Sequence, residues 1–399
     1  MRVLMVHNRY LERGGEDESV DLERRLLERH GHEVELYEED NRRVAEIGRL
    51  RTAARTVWSI EGHREVTRRL GRRPFDLVHV QNSFPLISPS AHHAARSLGV
   101  PVVQTLRNYR LWCANGLFFR DGRPCEDCFG RAPWPGVLHG CYRGSRAGSA
   151  VVAAMQSTHR VLGTWRRTVG HFVVLSRFAA GKLTASGIPP ERVMIKPNFL
   201  EPDPGPSTAT REGFLFVGRL SPEKGVETLL RAWEAPDPPG RLTLVGGGPL
   251  EERVRAAAAT DPRISWLGRL PREEVVERMG HARALIFPSE WYETFGRVAI
   301  EAYARGTPVV ASRIGAVAEL VEHERTGLLF TPGVAADLLA QLHRLRSDPE
   351  LGNRLGRAAR EEFERRYTAE VNYRSLLEIY RSVTARTVGA PPSEASPAG

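Results

Sequence analysis

Two glutamates, Glu293 and Glu301, are separated by seven residues, and their spacing is the first feature of this 399-residue chain that suggests chemistry. They lie in the stretch PSEWYETFGRVAIEAYARGTPVVAS, residues 288–312, which predicts a strand end, a tight loop, a helix and a second strand. An ionised carboxylate only accepts hydrogen bonds, so the pair suits a ligand that carries several hydroxyl groups.

The helix of this stretch is predicted to begin at a site for an anion. Thr294 is the predicted N-cap and Gly306 the first residue beyond the C-terminus, so the helix should run from about Phe295 to Arg305. The backbone amides of Phe295 and Gly296 would then face a ligand, and the helix dipole favours a negative charge there. Together with the two glutamates, this arrangement predicts a nucleotide-sugar as the ligand.

Two further turns carry residues that suit phosphate binding. Arg219 and Lys224 stand in GRLSPEKG, directly after the predicted strand 214–217, where cations can meet a diphosphate at the start of a helix. Gly14 and Gly15 lie between a predicted strand at residues 2–7 and a helix, where a phosphate-facing loop and a plain flexible turn are both compatible with the sequence. The first turn is the more specific of the two.

These motifs, with LSRFAAGKL and IKPN, resemble the retaining GT-B glycosyltransferases of family 4 over almost the whole chain. The resemblance implies an α/β fold of two facing, Rossmann-like (doubly wound) domains with a central cleft. The expected parts are an acceptor-side domain at 1–200, a nucleotide-sugar domain at 201–367, a helix at 368–388 that crosses back to the first domain, and a disordered tail at 389–399.

The reaction that the resemblance implies is transfer of a sugar from a nucleoside diphosphate to an acceptor hydroxyl, with retention at the anomeric carbon. In such enzymes Glu293 would hold the sugar hydroxyls, Glu301 the ribose hydroxyls and Leu267 the nucleotide base, while Gly14 and Gly15 would face the phosphates. Arg219, Lys224 and the helix N-terminus would neutralise the departing diphosphate. The chain contains no D-x-D motif, so no metal cofactor is expected for catalysis.

The acceptor side departs from the family pattern at two positions. Where relatives usually carry histidines, this chain has Gln81 and Arg107. Gln81 can hydrogen-bond a sugar hydroxyl and Arg107 can hold an anionic group, but neither is a base at neutral pH. The acceptor is therefore unknown beyond its hydroxyl group.

All four cysteines lie in a Gly- and Pro-rich insertion at 108–145, as Cys113, Cys125, Cys128 and Cys141. Their C-x11-C-x2-C-x12-C spacing suits a closed tetrahedral zinc site, and a metal would order a loop that has little core of its own. A set of reduced thiols is the alternative. A similar insertion is familiar in one branch of the resembled family.

Composition favours a cytoplasmic protein, because no apolar run is long enough to span a membrane. Residues 1–200 hold 31 Lys and Arg against 20 Asp and Glu, whereas residues 201–399 hold 26 against 28. Residues 42–73 alone carry ten arginines and predict a basic helix with an apolar stripe. That helix either packs on its own sheet or contacts the anionic inner face of the cell membrane.

Two other functions stay open on the sequence. One is a sugar-nucleotide epimerase or phosphorylase of the same fold. The other is a zinc-bearing, basic binding protein with a decayed active site, which Gln81 and Arg107 would favour and the retained Glu293 and Glu301 oppose. No nucleic-acid partner is predicted.

Overall fold

The chain folds around two parallel six-stranded sheets, in a computed structural model that describes residues 1–11 and 14–388. The predicted tail at 389–399 lies outside the described residues. The first sheet contains β1 (Arg2–Arg9), β2 (Glu33–Asp40), β3 (Leu77–Asn82), β4 (Val102–Leu106), β7 (His171–Val174) and β8 (Val193–Ile195). A hairpin of β5 (Phe119–Arg120) and β6 (Arg123–Pro124) interrupts it in sequence. The second sheet contains β9 (Phe214–Val217), β10 (Leu242–Val245), β11 (Ile264–Trp266), β12 (Ala284–Phe287), β13 (Val309–Ser312) and β14 (Gly327–Phe330).

Helices follow most strands and cover both faces of each sheet, which confirms the predicted doubly wound α/β class. They are α1 (Gly15–Arg29), α2 (Arg43–Ile47), α3 (Arg49–Val57), α4 (Ile60–Arg72), α5 (Ser90–Ser97), α6 (Trp134–Leu138), α7 (Arg146–Val161), α8 (Thr164–Arg167), α9 (Arg177–Ala185), α10 (Val226–Trp233), α11 (Glu251–Thr260), α12 (Arg272–His281), α13 (Arg297–Ala304), α14 (Val317–Leu320), α15 (Ala335–Ser347), α16 (Pro349–Arg366) and α17 (Ala369–Val388).

Strand order fixes where each sheet can bind a ligand. The first sheet has the order β2-β1-β3-β4-β7-β8 and the second β11-β10-β9-β12-β13-β14. The order reverses direction between β1 and β3 in the first sheet, and between β9 and β12 in the second. In open α/β sheets, ligands bind outside the carboxyl ends of the strands at such switch points. The segments that follow β1, β3, β9 and β12 are therefore the expected walls of a site.

The last helix belongs to the core of the first sheet although it follows the second in sequence. Four of its side chains, Leu376, Ile379, Tyr380 and Val383, are buried in one apolar cluster with residues of β1, β3 and β4. Tyr380 also extends its hydroxyl group to Nδ1 of His79, at 2.7 Å. This helix therefore ties the end of the chain to the first sheet.

The prediction of a single basic helix within residues 42–73 is wrong. The segment forms α2, α3 and α4, because Gly48 adopts a positive φ of 84° and Ser59 caps a new helix by accepting from the Gly62 amide. Leu50, in the predicted apolar stripe, is 88% exposed. Within the described ranges, no helix is both long and apolar enough to cross a membrane.

Candidate active site

A cavity of about 400 Å³ opens at the switch points, between segments of the two sheets. Segments after β1, β4, β7 and β8 form one wall, and segments after β9 and β12 form the other. Of the predicted donor residues, those that line it are Gly15, Arg219, Lys224, Glu293, Thr294, Phe295 and Gly296. Residues from two motifs some 70 positions apart thus converge on one cleft, as the strand order requires.

Glu293 and Lys224 form an ion pair at the centre of this cleft. The Lys224 Nζ atom lies 2.5 Å from Oε1 of Glu293, which also accepts a hydrogen bond from Ser289 Oγ at 2.7 Å. The glutamate side chain is 8% exposed and the lysine side chain 24%. Both partners of Glu293 use Oε1, so its second carboxylate oxygen is left for a ligand hydroxyl.

Arg219 is the unpaired cation of the cleft. It follows β9 and is exposed, and its side chain forms no hydrogen bond or ion pair with any residue in the described part of the chain. A guanidinium without a partner that lines a cavity is available to an anion. Lys224, in contrast, already has a counter-charge.

The helix that begins at this cleft starts two residues later than predicted. Gly296, with a φ of 122°, is the N-cap of α13, and Thr294 is not. The Thr294 hydroxyl instead donates to the carbonyl oxygen of Arg107 at 3.1 Å, on the opposite wall. A Cβ atom on Gly296 would lie 2.5 Å from the Phe287 ring, so only glycine fits there. The amides at the helix start are those of Gly296 and the two residues after it.

Glu301 lies in α13, one turn after Arg297. Arg297 was not predicted as a site residue from the sequence. Burial raises the pKa of Glu301, and the nearby guanidinium groups of Arg297 and Arg272 act against that rise. The Arg297 Nη1 atom crosses the cleft and donates to the Gly15 carbonyl at 3.1 Å and to Ser19 Oγ at 2.9 Å. A cation at a helix N-terminus is electrostatically unfavourable. The presence of Arg297 at this position is therefore the feature of the sequence that could have identified it as a site residue.

Three predicted donor residues, Gly14, Leu267 and Glu301, do not line the cavity in the described structure. The Gly14 amide, predicted to face phosphate, donates to Asp17 Oδ2 at 3.2 Å and caps its own helix. Leu267 follows β11 and is 36% exposed, so it remains reachable by a ligand that extends beyond the cavity. Gly15 does line the cleft, and a Cβ atom there would lie 3.2 Å from Arg297 Cδ.

Gln81 and Arg107, the two predicted acceptor-side residues, lie together and line a second cavity. Gln81 is buried, and both of its polar atoms have protein partners. Its Nε2 donates to Glu23 Oε1 at 2.6 Å, and its Oε1 accepts from Arg107 Nε and Nη2 at 3.1 and 3.0 Å. Burial lowers the pKa of the neighbouring His79 to about 4, with Glu23 acting in the opposite direction. Gln81, Arg107, Glu23 and His79 therefore provide no base at neutral pH.

The four cysteines meet around one small cavity beside the β5–β6 hairpin. All four are reduced, and Cys113 donates to Asn115 Oδ1 at 2.9 Å. Burial raises the pKa of Cys128 to about 11, whereas the backbone amide of Gly136 acts to lower it. No group of three or more His, Cys, Asp or Glu residues among those described is arranged to hold a metal ion. The side chains as they stand do not form a zinc site, and zinc remains a prediction.

Comparison with protein families gives two matches that divide the chain as the two sheets do. The model described as Glycosyltransferase Family 4 matches residues 14–204, and the model described as Glycosyl transferases group 1 matches residues 201–362. The first covers the strands β2 to β8 with most of the first sheet's helices. The second covers β9 to β14 and most of α16.

Individual relatives are distant. The chain is 34% identical to a sulfoquinovosyl transferase of Arabidopsis thaliana over 154 residues, which are 38% of this chain and 30% of that protein. It is 25% identical to the uncharacterized glycosyltransferase YqgM of Bacillus subtilis over 317 residues, which are 77% and 78% of the two chains. HepE of Anabaena, solved with UDP, has 18% identity and a TM-score of 0.68 over 96% of this chain and 100% of its own. The last likeness shows a shared GT-B fold.

Proposed function

This chain belongs to glycosyltransferase family 4, and we propose that it transfers a sugar from a nucleoside diphosphate to an acceptor hydroxyl, with retention of configuration. One observation carries the proposal: Arg219, Lys224 and Glu293 converge on the N-terminus of α13 in a single cavity of about 400 Å³. The complexes of HepE with UDP and with UDP-glucose support a nucleotide-sugar as the class of donor.

The positive charges of the cleft would act on the departing diphosphate. Negative charge grows on the diphosphate as its bond to the sugar lengthens, and preorganised donors aimed at that charge lower the barrier. Arg219 can turn to it without breaking an existing contact, and the amides at the start of α13 add their dipoles. Lys224 would share its charge between Glu293 and the phosphate.

Glu293 would act by positioning the sugar. Its second carboxylate oxygen would accept a hydrogen bond from a sugar hydroxyl, while Lys224 and Ser289 hold the first oxygen in place. The acceptor would enter from the wall that carries Arg107, because the second cavity lies on that side. The proton of the acceptor hydroxyl would go to a phosphate oxygen of the donor, and no divalent cation is required in this scheme.

A donor screen tests the proposal. Thermal unfolding should shift upwards with one class among UDP-, GDP-, ADP- and TDP-sugars, because a ligand that binds the native state stabilises it. NMR of the product made from that donor should show an anomeric configuration equal to that of the donor. If no nucleotide or nucleotide-sugar raises the unfolding temperature, the proposal fails. Release of free nucleotide without an acceptor-linked product would favour the epimerase or phosphorylase alternative.

We further propose peripheral contact with the cytoplasmic face of an anionic membrane, through α2 to α4. Leu50 and Ile60 are 88% and 54% exposed in a segment with ten arginines, a combination that suits an anionic lipid surface. The protein should sediment with phosphatidylglycerol vesicles at low salt and release at high salt. Leu50→Glu should weaken this binding, and the exposed Val334→Glu on the second sheet's side is the control. Absence of sedimentation at low salt would remove the idea.

A further inference from the structure

Arg107 stands at the junction of the two cavities. It follows β4, and it is among the residues that line both the donor cleft and the acceptor-side cavity. Its side chain is only 4% exposed. A charged side chain buried to this degree needs compensation from its surroundings.

The hydrogen bonds of Arg107 go to neutral groups. Its Nε and Nη2 atoms donate to Gln81 Oε1, and its Nη1 atom donates to Asn198 Oδ1 at 2.8 Å. A guanidinium group has five N–H donors, so these three bonds leave two of them for another acceptor. Neither amide oxygen carries a counter-charge.

The nearest carboxylate to Arg107 is already paired with another cation. Glu23 Oε2 lies 2.8 Å from Lys196 Nζ and 3.8 Å from Arg107 Nη2. In the described part of the chain, no other carboxylate lies within 4 Å of either cation. Lys196 is buried as well, and His79 in the same cluster is neutral at pH 7 because its pKa is about 4. Within 4 Å, one negative charge therefore faces two positive charges. At longer range Glu16 and Arg297 act on Arg107 with opposite signs.

A buried cluster with an excess positive charge is stabilised by an anion from outside. We propose that an oxyanion of one of the substrates binds Arg107, where the acceptor-side cavity meets the donor cleft. This rests on the proposed function and deepens it. The oxyanion is either a phosphate or carboxylate group of the acceptor, or the diphosphate of the donor, since Arg107 reaches both cavities.

Asn198→Asp is the sharpest test, because it supplies a carboxylate of nearly the same shape beside Arg107 Nη1. The variant should unfold at a temperature no lower than the wild type, since the excess charge is neutralised from within. Its affinity for inorganic phosphate, measured by calorimetry with and without saturating UDP, should fall by at least about tenfold. Arg107→Gln should show the same loss of phosphate affinity, and the exposed Arg357→Gln should behave as the wild type.

The presence of UDP separates the two sources of the oxyanion. Phosphate that binds to the UDP-saturated wild type, and not to Asn198→Asp, would assign the oxyanion to the acceptor. Phosphate that UDP displaces, with weaker UDP binding in Arg107→Gln, would assign it to the donor. Unchanged phosphate and UDP affinities in both variants, or a lower unfolding temperature for Asn198→Asp, would overturn the inference. Because wild-type UDP binding is measured in the same series, failure of the proposed function is seen separately.

Discussion

Comparison of Arg219→Ala with Lys224→Ala separates the role of the unpaired cation, Arg219, from that of the paired cation, Lys224. The Arg219 side chain is exposed and has no partner in the described structure, so its removal should change the free energy of unfolding by less than about 0.5 kcal/mol. Its effect should appear in turnover instead. If it meets the charge that grows on the diphosphate, kcat should fall roughly 100- to 1000-fold, as for loss of one oxyanion-stabilising donor.

Lys224→Ala provides the contrast, since it removes the counter-charge of a buried carboxylate. Glu293 is 8% exposed and would keep only the hydrogen bond from Ser289. Because Lys224 is itself 24% exposed, the loss of folding stability should stay below the 3–5 kcal/mol of a fully buried pair, at about 1–3 kcal/mol. The two substitutions remove the same charge from the same cavity but should differ in stability.

The assay combines urea unfolding with steady-state kinetics on the donor found by the screen, with water or an identified acceptor. For Arg219→Ala the KM of the donor should change by less than about fivefold, because the interaction strengthens only in the transition state. A fall in kcat below about fivefold would refute the catalytic role of Arg219. A stability loss equal to that of Lys224→Ala would refute the distinction between paired and unpaired cations.

Three further predictions address other parts of the molecule. Glu301→Ala should weaken UDP binding by about tenfold, because the proposed ribose contact would form before reaction; unchanged calorimetric affinity would contradict its role. The free energy of unfolding should fall as the pH is lowered from about 6.5 to about 4, because buried histidines with a folded pKa of about 4 take up protons only on unfolding; these are His79, His92 and His159. Urea titrations at several pH values check this, and a flat profile would count against it. The zinc site predicted from the cysteine spacing requires one zinc ion per four cysteines in protein purified without chelator, and metal analysis that finds less refutes it.

The convergence of Arg219, Lys224 and Glu293 on one cleft could be predicted because each residue stands in a local motif. The bounds of β9 and β10 follow directly from short apolar runs that end at glycines, and Arg219 stands directly after β9. Glu293 lies in the loop that follows β12. The start of α13 was misplaced because a tertiary contact takes the Thr294 hydroxyl, which sequence-based capping rules assign to the helix.

Other elements were missed for reasons of pattern and long-range packing. No strand is predicted for β2, because five of its eight residues, EVELYEED, are acidic, a composition that its place at the edge of the sheet permits. No helix is predicted for α7 either, although α3 packs against it. Periodicity alone could not show that Gly48 ends a helix, because glycine also occurs inside helices.

The surroundings of Gln81 and Arg107 could not be predicted because they depend on a network of distant side chains. Gln81 appears available from its place at a strand end, but Glu23 and Arg107 occupy both of its polar atoms from 58 and 26 positions away. The same network joins α1, the end of β8 and α17, through Lys196 and Asn372. A substitution at position 81 would therefore act first on the placement of the Arg107 charge. Under the proposed function, acceptor specificity would therefore change through this network while every predicted donor motif stays in place.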